Sequence, residues 1–187
     1  ISDDYLMTVQ NISLSGLGVS QYYSTYSQRF APYSIFAGSQ DQGLQKSIPD
    51  NQNLDGIQNF EQIISGDYGH LVSGNDGASI WTNYPGFTIL FPNAANSNQS
   101  RMLDFPCSGQ LWLAPLLADP MDANLAYLGG GGVSGGNHII KIINQGSSLT
   151  YEELPPTFNG TISAMAISPI NYNNWYVLTE NGKFYRS

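Results

Sequence analysis

Charge is what this chain has least of. Only 11% of its 187 residues are Asp, Glu, Lys or Arg, less than half the usual share of about 25%. Basic residues are the scarcest: six Lys and Arg stand against 14 Asp and Glu, for a net charge of −8. A nucleic-acid backbone needs clustered Lys and Arg, as does an anionic membrane surface, so no nucleic-acid partner is expected and an anionic membrane surface is disfavoured. Cys107 is the single cysteine, which rules out an internal disulfide and a thiolate zinc site. The two histidines, His70 and His138, stand far apart with no metal-ligand spacing, so no metal or cofactor is expected through them. No apolar run approaches the ~18 residues of a membrane span, and insertion into a membrane is not expected. Nor does any stretch keep an i, i+3, i+4, i+7 apolar pattern over three capped turns, so long helices are absent from the expectation. The sequence opens on Ile1 without a charged-then-apolar leader; it reads as a processed product or a piece of a larger protein.

What the chain does have is aromatics, 12% of residues, with β-branched residues in short runs punctuated by Gly, Asn, Asp and Pro. Such runs read as strands and turns. They fall at 19–27, 33–39, 43–47, 57–65, 69–74, 79–84, 87–91, 110–118, 124–130, 137–143, 149–154, 161–168, 174–179 and 183–187, with 4–12 as one more. They also recur as a unit. Residues 161–187 read strand, Pro-Asn loop, strand, Asn181-Gly182 turn, strand; residues 110–143 and 19–47 read the same way, and 69–91 as a compressed copy turning at 75–77. A strand-rich period of about 40–50 residues is the mark of propeller blades, which come in series because one small sheet cannot bury both its faces. The fold class expected is therefore all-β, a β-propeller segment of about four blades of antiparallel strands, part of a larger propeller. It forms a single region over 1–187, with units at about 13–65, 66–108, 109–155 and 156–187 and residues 1–12 as an outer strand. Residues 92–108, rich in Asn and Ser, read as an insertion or linker. The faces carrying Leu6, Val9, Val177 and Phe184 are expected to need cover from another segment or another copy.

The turns carry a second signal. Ser39, Asp41 and Gly43 follow a hydroxyl-x-Asp-x-Gly spacing; Ser73, Asn75 and Gly77 repeat it with Asn, and Thr179, Asn181 and Gly182 are one residue short of it. A short polar side chain can cap such a turn while Gly takes a positive φ. This pattern resembles the Asp-box, or BNR repeat, of sialidase-like and sortilin-like propellers. The stretch from Phe36 to Gly43, the Ser65 to Gly69 stretch after it, and the ending Gly182 to Ser187 are similar to segments of secreted bacterial members of that superfamily. The resemblance implies the propeller fold and a secreted or cell-surface location. At Asp41, Gln42 and Gly43 the chain also resembles xyloglucanase-like relatives, which implies Asp41 as a candidate catalytic carboxylate.

A glycosidase needs two carboxylates about 5–10 Å apart, and Asp67 is the candidate partner of Asp41; turn capping is the competing and stronger reading for Asp41. Tyr23, Trp81 and Tyr84 are candidates for stacking on sugar rings, against the plainer role of packing between sheets. Asn51, Asn53 and Asp55 have the early spacing of a calcium loop, but its twelfth position is Gln62, so a polar surface loop is the preferred reading. Gly130 to Gly135 matches a dinucleotide-loop consensus, but a strand pattern follows it where a helix would be needed. Arg29, Arg101 and Arg186 are the only arginines, and the resemblance gives no arginine clamp for a sialidase. The functional expectation is thus a binding or scaffolding propeller module of a larger extracellular protein, with a glycoside hydrolase as the alternative. Its partners would be the rest of its own polypeptide or another protein, with a glycan as a further candidate.

Overall fold

The computed structural model describes residues 20–30, 33–48, 59–74, 77–96, 98–106, 109–131 and 135–187. The calcium-loop candidates Asn51, Asn53 and Asp55, the turn residue Asn75 and the strand expected at 4–12 lie outside the described residues. The rest is built from fifteen strands in four antiparallel sheets. The first holds β1 (Tyr22–Ser27), β2 (Ile35–Ser39), β3 (Gly43–Ile48) and β4 (Asn59–Ile64). The second holds β5 (Leu71–Ser73), β6 (Ile80–Tyr84), β7 (Phe87–Phe91) and β8 (Arg101–Asp104). The third holds β9 (Leu116–Ala118), β10 (Leu125–Gly131), β11 (His138–Asn144) and β12 (Leu149–Glu153). The fourth has three strands, β13 (Ile162–Ile167), β14 (Trp175–Thr179) and β15 (Phe184–Arg186). Among the described residues no helix is long and apolar enough to cross a membrane.

Each sheet is a meander in chain order, and the first strands of successive sheets, β1, β5, β9 and β13, touch one another in a line. The sheets then pack face to face. Phe36, Leu44 and Tyr68 meet Ile80 and Ile89 between the first and second; Trp81 and Leu90 meet Leu128 and Ile142 between the second and third; Tyr127 and Ile139 meet Ile162 and Val177 between the third and fourth. The strand period of two explains the pattern. Ile80 and Trp81, adjacent in β6, enter different cores, as do Tyr127 and Leu128 in β10 and Ile139 and Ile140 in β11. A sheet covered on both sides therefore reads as continuous apolar sequence, whereas β14 keeps Val177 inside and Leu178 outside.

The loops between the first two strands of the third and fourth sheets are the same structure twice. Asp119 Oδ1 accepts from the amides of Met121 and Asp122, and Ser168 Oγ from those of Ile170 and Asn171. Asp122 and Asn171 then accept from the amides of Asn124 and Asn173, each two residues on. Pro120 and Pro169 hold the corner in both, where a fixed φ favours the turn. Asp119 also accepts from the Tyr127 hydroxyl at 2.6 Å; burial first, and that carboxylate second, push the phenol well above its ordinary range.

Three sequence expectations need correction. Residues 101–104, placed in a linker, are the outer strand of the second sheet: an edge strand with few apolar contacts has a polar, irregular sequence and carries a weak signal. Of the strand expected at 110–118 only Leu116–Ala118 is one, since Pro115 and the turn at Trp112 and Leu113 break it. Val177 does not lie on an uncovered face but is buried against the third sheet, while Phe184, on the opposite face, is 66% exposed.

Candidate binding face

Because the strands run alternately up and down, the turns β2–β3, β6–β7 and β14–β15 and the links between sheets gather at one end of the fold. The Ser39–Gly43 turn lies there. The Ser39 hydroxyl donates to the Gly43 carbonyl at 2.8 Å, and Thr179 repeats that bond to Lys183 at 3.3 Å. Ser73 and Gly77 do not belong to this series. They flank the β5–β6 connection at the opposite end, and the corresponding hairpin of the second sheet closes through Pro85 and Gly86 instead. A hydroxyl-x-Asn-x-Gly string suits any tight turn, so spacing alone could not separate the two ends.

Asp41 does not cap its own turn through its carboxylate. Its backbone is left-handed, with φ 60°, and its amide donates to Asp67 Oδ1 at 2.7 Å. The amide of Gln42 goes to the Gln40 carbonyl and that of Gly43 to the Gly66 carbonyl. The capping carboxylate is thus Asp67, supplied by the 65–70 link, and the two candidate catalytic carboxylates meet as a turn and its cap. Asp67→Ala is expected to cost about 1 kcal/mol, the usual loss for a cap. Asp41→Gly is expected to be neutral within a few tenths, because glycine accepts this φ without strain. Urea denaturation of the two variants checks the assignment, and the reverse order of effects would return the capping role to Asp41.

Other side chains fix the links beneath this turn. The Ser24 hydroxyl donates to the Gly69 carbonyl at 2.5 Å. Fully buried Asn83 accepts from the His70 amide at 2.8 Å and donates to the Ala114 carbonyl at 2.7 Å, tying the 65–70 and 105–115 links together. His70 is held below its ordinary pKa, mainly by burial, against a backbone hydrogen bond at Leu113. This scaffold brings Trp112 beside Tyr23, with ring centroids 5.9 Å apart and planes at 74°. Trp112 is 56% exposed. The Tyr23 phenol is raised above its ordinary pKa, by loss of solvent first and then by the Asp67 and Asp41 charges nearby.

Tyr23 is therefore the stacking candidate that lies at this face. Trp81 is fully buried between the second and third sheets, with its indole N–H donating to the Ala123 carbonyl at 3.3 Å, and has no face to offer a sugar. Tyr84 is a packing residue, stacked on Phe87 at 4.7 Å and met by the edge of Tyr68 at 5.6 Å; burial pushes the Tyr68 phenol up to about 12. Sequence reasoning missed Trp112 and Asn83. Trp112 sat in an apolar run that looked like a core strand, and only the Pro115 that ends the run hinted at a loop. Among the described residues no three His, Cys, Asp or Glu side chains are grouped to hold a metal ion.

Four meander sheets standing side by side around a line of first strands are blades, and the fold is that of a partial β-propeller. No family model and no curated protein matches the sequence. Among solved structures the chain is similar to the β-propeller domain of Myceliophteria thermophila Cps50 (Swd1), with a TM-score of 0.63 and 11% identity over 90% of this chain and 52% of that one. It also matches apo AztD from Citrobacter koseri with a TM-score of 0.49 and 16% identity, over 78% of this chain and 38% of that one. The chain thus spans about half the length of the Cps50 propeller domain, and at such identity the likeness is one of fold.

Proposed function

We propose that this chain is a binding and scaffolding module of an extracellular β-propeller protein, and that the Tyr23–Trp112 face takes a cationic side chain of a protein partner. The observation that carries the reading is the meeting of two aromatic rings, Tyr23 from the first sheet and exposed Trp112 from the link between the second and third, beside Asp41 and Asp67. Aromatic faces attract a Lys or Arg head through their quadrupole, and a neighbouring carboxylate adds charge-assisted hydrogen bonds. The acidic balance of the chain favours an encounter with a basic partner. The extracellular placement is supported by the Asp-box resemblance at Ser39–Gly43. Catalysis is the weaker use of these carboxylates, since Asp67 is engaged in holding the Asp41 amide.

The test is a calorimetric titration with short lysine-rich and arginine-rich peptides, and with a xyloglucan oligosaccharide as the glycan arm. Peptide binding in the micromolar range is expected. It should weaken about tenfold in Asp41→Asn, which corresponds to about 1.4 kcal/mol, and disappear in Trp112→Ala. Binding of the oligosaccharide but not of the peptides would transfer the face to glycan recognition, and peptide affinity unchanged in Trp112→Ala would remove it as the site.

A further inference from the structure

A charged side chain is buried between the first two sheets with no ion of opposite sign beside it. Lys46 of β3 is 8% exposed. Among the described residues its ammonium has one hydrogen-bond acceptor, the Ala95 carbonyl at 3.3 Å, and it lies 5.8 Å from the centre of the Phe36 ring. Glu61 stands directly opposite on β4, where opposite charges ordinarily pair. Here they do not. Among the described residues the ion pairs are Lys141–Glu152 and His138–Glu153, and Glu61 keeps an exposed, unpaired carboxylate.

The turn after β7 holds the two charges apart. Asn93 Oδ1 accepts from the Ala95 amide at 3.0 Å, the Asn93 carbonyl accepts from the Asn96 amide at 2.9 Å, and the Ala94 amide donates to the Ala78 carbonyl at 2.7 Å. The Ala95 carbonyl is thereby fixed, and it draws the Lys46 ammonium across to the second sheet. Lys46, Glu61, Ile63, Ala95, Asn96 and Asn98 then line a cavity of about 380 Å³. Asn96 Oδ1 accepts from the Asn98 amide at 3.3 Å, which leaves the Asn96 Nδ2 group to donate. Of the described residues that line the cavity none is aromatic, and only Ile63 and Ala95 have apolar side chains. Because β3 and β7 run away from the turns at Gly43 and Gly86, the cavity lies at the end opposite the Tyr23–Trp112 face and does not depend on that reading.

We propose that this cavity binds a free α-amino acid with a small or polar side chain, its carboxylate on the Lys46 ammonium and its α-ammonium on Glu61. A buried cation is stabilised by a paired anion, and the bond between them is charge-assisted. Two opposite charges that share a cavity without touching are complementary to the two ends of a zwitterion. A plain anion would satisfy Lys46 but meet repulsion from Glu61. A neutral sugar would leave both charges unmatched and find no ring to stack on. The amides of Asn96 and Asn98 suit a polar side chain, while a large apolar one would have only Ile63 and Ala95 to pack against.

The test is calorimetric titration of the full 187-residue chain with L-serine, L-leucine, acetate and glucose. L-serine should bind, and more tightly than L-leucine, while acetate and glucose give no heat at the same concentrations. Lys46→Met keeps the stem over Phe36 and removes the charge; Glu61→Gln keeps the shape at an exposed position. Each should weaken L-serine about tenfold or more, the loss of one charge-assisted contact, with the circular dichroism unchanged. Glu61→Gln decides alone if Lys46→Met does not fold. Absence of L-serine binding, acetate bound as tightly as L-serine, glucose bound in its place, L-leucine bound more tightly, or L-serine affinity indifferent to Glu61→Gln would each overturn the proposal.

Discussion

Trp81→Ala is expected to lower stability by about 4 kcal/mol, the middle of the range for removing a buried indole. Trp81 is fully buried in the core between the second and third sheets, among Leu90, Leu116, Leu128 and Ile142, and its N–H reaches across to Ala123 of the third sheet. Truncation therefore opens a cavity between two sheets and removes a bond between them. For a domain of this size the loss corresponds to a fall in Tm of roughly 10 °C. Trp81→Phe, which fills most of the volume, should recover more than half of it. Urea unfolding reads both; a loss below about 1 kcal/mol for Trp81→Ala would mean that the second and third sheets are not packed face to face.

Gly43→Ala is the other large effect, and it arises from backbone geometry. Gly43 opens β3 at φ 76°, and a Cβ there would stand 1.9 Å from the Ile64 carbonyl oxygen of β4. Its amide also donates to Gly66 at 2.8 Å, so it cannot swing away without releasing the link that carries Asp67. A left-handed non-glycine residue costs about 1–3 kcal/mol, and overpacking adds about 1–3 more, for an expected loss of about 2–6 kcal/mol. Gly146→Ala makes the control: it has a positive φ of 87° but nothing within 4 Å of the added carbon, so only the conformational part should be lost. Equal effects at the two glycines, measured by thermal unfolding, would show that the contact with Ile64 is not tight.

How far the fold could be read from residues alone depended on how many faces a strand buries. β6, β10 and β11 are apolar on both faces, and their runs stood out. β8, an edge strand holding Arg101 and Asp104, has no such run and reads as a linker. The loop at 110–115 made the opposite error, because apolar residues that roof the ends of strands look in sequence like strands. The turn motif was informative at Ser39 and Thr179, whose hydroxyls make the same bond, and uninformative at Ser73, where the same letters serve a different connection. The candidate face was half legible. Tyr23, Asp41 and Asp67 could be named, but their roles could not, because Asp67 enters from a link that only the folded chain brings under the turn. Trp81 and Trp112 exchanged their expected places for one reason: period and composition do not tell a core ring from one lying over it.

The order in which the four sheets follow one another also bears on how this chain opens. Among the described residues each sheet is made of consecutive residues and packs on its neighbours, so contacts are local and cooperativity runs along the series. The second and third sheets are held on both faces, the fourth on one, with Phe184 and Leu178 facing solvent. Native fluctuations should therefore begin at the fourth sheet and move inward one sheet at a time. Amide exchange would then be fastest along β13 to β15 and slowest along β6 and β10, a gradient of protection written by position in the row.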